Sequence, residues 1–432
     1  MSNKLKRVAF YTLGCKLNFS ETSTIGRSLD PSRFIKVNFE DQADIYIINT
    51  CSVTEAADKK CRQAITKCIR KAPEAYIVVV GCYAQLKPQE VTSIPGVDLV
   101  LGINERFDIA AYIDRIESGQ NNVIQSCKHP DSEGFSSAFS LGDRTRSFLK
   151  VQDGCDYLCS YCTIPKARGK SINQPVADCV SNAKEIAGYG IKEIVITGVN
   201  IGDFGKTTGE NFFSLLKELI KVDGIERYRI SSIEPNLLTD EIISLVNNEN
   251  KLAPHFHIPL QSGNNKILGL MKRRYKRELF ADRVNKIRHL MPDASIGADV
   301  IAGFPGESDN DFNDTLSFLE GLDLSYLHSF SFSARNNTPA ADYPEQVDIE
   351  TRHRRSKILQ KLSEKKKLEF YRRCAGKSYK VLWENTNDRG LISGFTENYI
   401  KVVHYSEKDM QGNISRVKLR EIDENGNFTI RM

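Results

Sequence analysis

The strongest constraint on the fold is an alternation of short β-branched runs with helical stretches. In the first 120 residues the runs are VAFYTLG (8–14), DIYIINT (44–50), AYIVVVG (75–81) and VDLVLGI (97–103). Continuous apolar runs of this length read as strands buried on both faces, as in a parallel sheet. Helical stretches near Glu21–Leu29, Ala57–Lys71 and Pro88–Ser93 lie between them. Residues 1–120 are therefore expected to form an α/β domain with a parallel sheet. Residues 121–146 are polar, Ser-rich and aperiodic, which is the composition of a linker.

A second alternation follows. Strands are expected at Phe148–Gln152, Glu193–Thr197, Tyr228–Ile233, His255–Leu260, Ser295–Ile301 and Tyr326–Ser331. Helices are expected at Val176–Tyr189, Phe212–Val222, Thr239–Asn247, Glu278–Leu290 and Asp309–Glu320. Six βα units predict a partial (β/α)6 barrel over 147–375, with a basic helix at its end and its chemistry on loops at the C-terminal strand ends. KSYKVLWE, GLISGFTENYIKVVHY, SRVKLREI and NFTIRM then predict a small all-β barrel over 376–432. The overall class is α/β with that β appendage.

The N-terminus, MSNKLKRVAFYTLGC, carries an apolar run too short for a signal peptide, and no stretch approaches the roughly 20 apolar residues of a membrane span. A cytoplasmic chain without membrane attachment is expected. In that reducing compartment its 11 cysteines suit metal binding or catalysis better than disulfides. A net charge of +5 alone does not imply nucleic acid, but Glu350–Lys377 holds 11 Lys/Arg against three Glu. That stretch is either a solvated helix face or a contact for RNA phosphates.

The most specific chemical signal is VQDGCDYLCSYCTIPKARG, in which Cys155, Cys159 and Cys162 have C-x3-C-x2-C spacing just after the first expected barrel strand. Three thiolates on one short loop suit a cubane cluster and leave one of its four irons open to a small molecule. Tyr161 adds an aromatic face for an adenine ring. A structural zinc site is the alternative, but it would want a fourth protein ligand and none lies nearby.

Three further cysteines share an equivalent position. Cys15, Cys51 and Cys82 each follow the C-terminal end of an expected parallel strand. Those ends share one sheet edge, with strands about 4.8 Å apart, so the thiols can converge on a second three-cysteine cluster. Cys61, Cys68, Cys127, Cys179 and Cys374 share no such placement and read as non-ligands.

The C-x3-C-x2-C spacing resembles the signature of the radical S-adenosylmethionine (SAM) superfamily, whose open iron binds SAM. TLGCKLN, NTCSVT, GCYAQ and DGCDYLCSYCTIPKARG together resemble the methylthiotransferase family. ITGVNIGDFG, SSIEP, HIPLQSGNN, LMKRRY and DVIAGFPGES match further blocks of it, and GCKLN with TGVNIG is similar to its MtaB type. The resemblance spans nearly the whole chain and includes a TRAM-like C-terminal barrel. It implies two 4Fe–4S clusters, SAM as both methyl donor and radical source, and transfer RNA as partner. The implied reaction is 2-methylthiolation of threonylcarbamoyladenosine at position 37, with a sulfur donor and an electron donor of unknown identity.

By the same resemblance Asn200, Ser232, Glu234, Gln261 and Ser262, all past barrel strands, would contact SAM or position substrate. Gly303 in GFPGES would let a backbone approach adenine. Arg273 and Arg274 would meet an RNA phosphate or the threonyl carboxylate. In the TRAM-like segment Lys380, Arg389, Lys401, Arg416 and Lys418 supply charge, tempered by Glu421, Asp423 and Glu424, with Trp383, Phe395 and Tyr399 as stacking faces. Related enzymes act instead on isopentenyladenosine in transfer RNA or on a ribosomal-protein aspartate, and a non-catalytic iron–sulfur sensor of RNA is the rival from another class.

Overall fold

The computed structural model describes residues 5–117, 124–129, 131, 134–142, 144–387, 390–406, 408–423 and 426–430. Arg389 and Glu424 lie outside the described residues. The chain divides into two compact units. One comprises residues 1–143, 148–158 and 162–174; the other comprises 144–147, 159–161 and 175–432.

The first unit is built on a six-stranded sheet of β1 (Lys6–Thr12), β2 (Phe34–Val37), β3 (Ile45–Thr50), β4 (Tyr76–Gly81), β5 (Leu99–Leu101) and β6 (Ile124–Ser126), in the order β2-β1-β3-β4-β5-β6. Every pairing is parallel. The four predicted runs are β1, β3, β4 and β5; the edge strands β2 and β6 are additional. Alternation in β3 feeds two cores: Ile45 and Ile47 pack on one face with Val8 and Val78, Tyr46 and Ile48 on the other with Ala9 and Val79. The strand order reverses direction between β1 and β3, which makes their C-terminal ends a topological switch point. The helix Glu55–Lys71 starts where Thr54 accepts from the Ala57 N–H, supplying a partner for a first-turn donor.

Within the polar stretch 121–146, β7 (Ala138–Phe139) pairs antiparallel with β8 (Ser147–Lys150). Thr24 and Arg27 of the helix Lys16–Ser28 bond to the carbonyl of Phe139. The expected strand Phe148–Gln152 is two short strands. After β8 comes β9 (Gln152–Asp153), which pairs antiparallel with β10 (Ile172–Asn173). The break falls where Lys150, Gln152 and Asp153 turn polar groups to buried partners rather than into an apolar layer.

The second unit carries five parallel strands: β11 (Glu193–Thr197), β12 (Arg227–Ile230), β13 (His255–His257), β14 (Ser295–Ala302) and β15 (Tyr326–Ser331). Single bridges, Tyr228 to Leu252 and Ser232 to His257, join β12 to the β13 segment. β11 and β15 match the sequence expectation residue for residue. The basic helix runs Ile349–Cys374, started by Asp348, whose carboxylate accepts from the Thr351 N–H at 2.8 Å. Its apolar end packs Phe370, Tyr371 and Cys374 against a final six-stranded sheet of β16 (Ser378–Thr386), β17 (Leu391–Thr396), β18 (Lys401–Tyr405), β19 (Ile414–Lys418), β20 (Glu421–Ile422) and β21 (Phe428–Thr429). Its order is β19-β16-β17-β18-β21-β20, with mixed pairing. Among the described residues no helix is long and apolar enough to cross a membrane.

Trp383 is the centre of that last core, fully buried with its indole N–H donating to Ser415 Oγ at 2.7 Å. Trp383→Ala leaves a cavity and an orphaned hydroxyl, and is expected to destabilise the sheet by about 3–5 kcal/mol. Urea unfolding followed by circular dichroism checks this, with the exposed Tyr405→Ala as an unaffected control.

Candidate metal centre

Cys15, Cys51 and Cys82 follow β1, β3 and β4, three neighbouring strands of one sheet. Cys15 caps the helix Lys16–Ser28 and is exposed; Cys51 is buried in the turn after β3; Cys82 is buried as the first residue of the helix Cys82–Leu86. A glycine in the left-handed region precedes two of them: Gly14 (φ +103°) and Gly81 (φ +97°). Gly14 is also a close approach. A Cβ there would lie 2.7 Å from Cys51 Cβ and 3.0 Å from Cys51 Sγ, so the Cys15 loop rests on Cys51. Burial pushes the Cys51 thiol up to about 12, reinforced by the neighbouring sulfurs of Cys82 and Cys15. The Cys61 thiol acts on Cys51 in the same sense.

Charged side chains that sequence reading missed surround this group. Glu21, fully buried, meets Arg106 at 2.5 Å, Arg168 at 2.9 Å and Lys150 at 3.4 Å. Asp153 meets Lys150 at 2.7 Å and Arg168 at 3.0 Å. Burial favours the neutral acids, yet these cations hold Glu21 and Asp153 below the ordinary carboxylate range. Arg168 also donates to Asn18 Oδ1 at 2.8 Å, while Asn18 Nδ2 donates to the carbonyls of Leu13 and Thr50. Asn18 thus ties the loop before Cys15 to the residue before Cys51. The only sequence signal was a buried-strand pattern, FLKVQD, that carries Lys150 and Asp153 three apart.

Of the C-x3-C-x2-C set, Cys155 and Cys162 belong to the first unit and Cys159 to the second. The Cys155 N–H donates to the carbonyl of Gly169, and the Ile164 N–H points to Cys162 Sγ at 3.4 Å. Cys159 Sγ accepts from Arg273 Nη1 at 3.0 Å. Burial raises the Cys159 thiol and Arg273 lowers it. Arg273 also pairs with Glu234 and donates to Tyr275. Its side chain is 4% exposed and is held by Cys159, Glu234 and Tyr275. Burial raises Glu234 even against Arg273. Ser160 is held by the carbonyls of Met271 and Leu270, next to KRRY.

The other predicted residues are placed as follows. Tyr161 sits edge-on to Phe304 of GFPGES, with ring centroids 6.1 Å apart. Asn200 is buried and donates to Asp203. Ser232 is half-buried and bridges to His257. Gln261 exchanges backbone bonds with Asp299 and Ile301, and Ser262 is buried against Thr315. Gly303 (φ +74°) donates to Glu307 and is packed by Arg352 of the long helix, whose Cγ a Cβ would meet at 2.4 Å. Arg274 and Lys380 are exposed, and Lys401 is half-buried. Trp383, being fully buried, offers no stacking face. Phe395 and Tyr399 stack on each other, and the Arg146 guanidinium lies over both rings. A second constellation that the sequence did not single out runs across β13–β15. His257 and His328 flank Asp299 at 3.0 and 3.3 Å, and Tyr326 joins His257 to His255. Burial works to raise Asp299, but the two imidazoles hold it well below the carboxylate range.

Comparisons with known proteins agree with this architecture. Residues 7–102 match the model "Uncharacterized protein family UPF0004" and residues 149–319 that of the "Radical SAM superfamily". A radical SAM methyltransferase, TsrM from Kitasatospora setae, has a similar fold (TM-score 0.57, 14% identity, 90% of this chain and 81% of that one). Fold and sequence together define a radical SAM enzyme, a class that implies a 4Fe–4S cluster and SAM.

Threonylcarbamoyladenosine tRNA methylthiotransferase MtaB of Bacillus subtilis (strain 168) is 39% identical over 424 residues, covering 95% of this chain and 93% of its own length. The MtaB of Thermotoga maritima is 37% identical, covering 99% of this chain and 97% of its own length. A tRNA-2-methylthio-N(6)-dimethylallyladenosine synthase of Syntrophus aciditrophicus is 33% identical, covering 96% and 92%. The chain belongs to this family of radical SAM methylthiotransferases.

The donor sets fit iron–sulfur groups: soft thiols in threes, with arginines beside them as fixed cations. In the metal-free protein, alkylation at pH 8 is expected to label exposed Cys15 well before Cys51, Cys61 and Cys68. Their thiols are pushed up to about 12 mainly by burial, so little thiolate exists at that pH. Peptide mass mapping over time checks the order.

Proposed function

We propose that this enzyme converts threonylcarbamoyladenosine at position 37 of transfer RNA to its 2-methylthio derivative, using two 4Fe–4S clusters and SAM. The observation that carries the reading is the pairing of two three-cysteine sets: Cys15, Cys51 and Cys82 on one sheet edge, and Cys155, Cys159 and Cys162 on one loop. When bound, the clusters and SAM supply a carbon radical strong enough to attack an inert aromatic C–H, and a methylated sulfur to replace the hydrogen. The chain's own residues hold and orient. Cys155, Cys159 and Cys162 would hold the SAM cluster, with Arg273 beside Cys159 fixed by Glu234. Gly303 and Tyr161 would flank the adenine of SAM, and Asn200, Ser232, Gln261 and Ser262 would shape the same strand-end surface. Cys15, Cys51 and Cys82 would hold the sulfur-carrying cluster. The names of the MtaB relatives favour the threonylcarbamoyl substrate; the more distant dimethylallyladenosine relative makes that nucleoside the alternative. The reaction would take place in the cytoplasm, with an external sulfur donor and an external electron donor.

Transfer RNA would be met by the face of the long helix that its own fold leaves open. Arg354, Lys357, Lys361, Lys365 and Arg372 are exposed, and Lys380 follows in β16. The triple variant Lys357→Ala/Lys361→Ala/Lys365→Ala is expected to weaken transfer RNA binding and to flatten its log–log salt dependence by roughly two to three. Filter binding from low to moderate salt measures the slope.

The central test is anaerobic reconstitution with SAM, reductant and transfer RNA bearing threonylcarbamoyladenosine, followed by digestion and mass spectrometry. The methylthio nucleoside is expected from the parent and from neither Cys155→Ala nor Cys51→Ala, each of which should lose roughly four irons per chain. Deoxyadenosine without a modified nucleoside would keep the radical assignment and sink the substrate. Product on dimethylallyladenosine alone would move the chain to the alternative.

A further inference from the structure

The ionic network in the first unit is not neutral. Among the described residues, the charged partners of Arg106, Arg168 and Lys150 are Glu21 and Asp153, and all five side chains are at most 5% exposed. Arg106 is buried completely, yet its Nε and Nη1 have no acceptor among the described residues. An unbalanced cation in a dry interior is costly, so an anion belongs beside it. The geometry says where. Arg168 reaches Asn18 Oδ1 at 2.8 Å, and Cys15 Sγ lies 3.8 Å from that same oxygen. Asn18 Nδ2 holds the carbonyl of Thr50, the residue before Cys51. Cys82 packs on Ala167, the neighbour of Arg168. The surplus positive charge therefore acts on Cys82, shares the Asn18 oxygen with Cys15, and is tied through Asn18 to the residue before Cys51.

We propose that Arg168 and Arg106 are the built-in counter-charge of the group held by Cys15, Cys51 and Cys82, positioning residues whose surplus charge stabilises its thiolates and raises its reduction potential. This rests on the reading that those cysteines hold an iron–sulfur cluster. Reduction adds one electron from an external reductant and makes the cluster one unit more negative, so fixed cations favour the reduced form. Glu21 has the opposite influence, since it cancels part of that charge.

The sign of the effect is the test. A full-length chain with Cys155, Cys159 and Cys162 changed to alanine isolates the N-terminal site. In it, the midpoint potential is read by anaerobic titration with electron paramagnetic resonance, alongside iron and sulfide content. Arg168→Gln is expected to shift the potential downwards and Glu21→Gln upwards, each by about tenfold in the reduction equilibrium, which is about 59 mV for one electron. Arg168→Lys should stay near the parent. Simple damage to packing would move Arg168→Gln and Glu21→Gln the same way. If the isolated site binds iron but both variants keep the parent potential or move together, the counter-charge role is overturned and the cluster reading stands. If the site binds no iron at all, both fall.

Discussion

A carboxylate remains ionised in a protein interior where cations or hydrogen-bond donors hold it, and Glu21 is held by three cations. Much of the first unit's working edge depends on that node. Through Arg168 it reaches Asn18, which fixes the turns leading to Cys15 and Cys51. Through Asp153 it reaches β9, two residues before Cys155, and the Arg168 side of the same strand pair supplies the Gly169 carbonyl that holds the Cys155 N–H. One ionic cluster thus fixes the backbone approach to cysteines of both sets. Removing either carboxylate would strand cations in a dry place, at a cost of roughly 3–5 kcal/mol, so the loops cannot drift independently of it.

The second unit repeats the logic on a smaller scale. Arg273 lies against Cys159 and is itself pinned by Glu234 and Tyr275. An arginine suits this place because its charge survives burial and its planar fork reaches the sulfur and the carboxylate at once. The carboxylate orients the cation, and the cation faces the sulfur. The His257–Asp299–His328 group obeys a different rule, since imidazoles can donate or accept. Its Asp299 stays ionised through hydrogen bonds from rings rather than through fixed charge.

What the sequence disclosed follows from the kind of signal each feature leaves. The parallel strands were legible because burial on both faces writes itself as an unbroken apolar run, as in IYIINT. The edge strand FIKV was not, since half of it faces solvent and the run is only four long. The cysteine sets were legible from spacing and from repetition at strand ends. The ionic node was not, because Glu21, Arg106, Lys150, Asp153 and Arg168 are scattered over almost 150 positions and meet only in three dimensions. Two adjacent arginines in KRRY read alike in sequence, as contacts for an RNA phosphate or the threonyl carboxylate, whereas the backbone turns one inward to Cys159 and leaves the other exposed.

The same scattering explains why counting charge overstates the surface available to RNA. Of the basic residues in the long helix, Arg355 is spent on Glu307 and Asp309, Lys366 on the carbonyls of Glu320 and Leu322, and Arg373 on Asp323. In β12, Arg227 and Arg229 share Glu193 and use their remaining donors on the carbonyls of Lys380, Phe395, Thr396 and Glu397, so they fasten the C-terminal sheet to the strands. Glu193, fully buried, is held down to about 2 by those arginines against the pull of burial. Basic residues here thus divide by depth. The buried arginines fix cysteine-bearing turns and join elements, where a fixed cation and five N–H donors are needed. The exposed ones, spaced three or four apart on one helix face, are mostly lysines, which suit diffuse contact with a phosphate backbone.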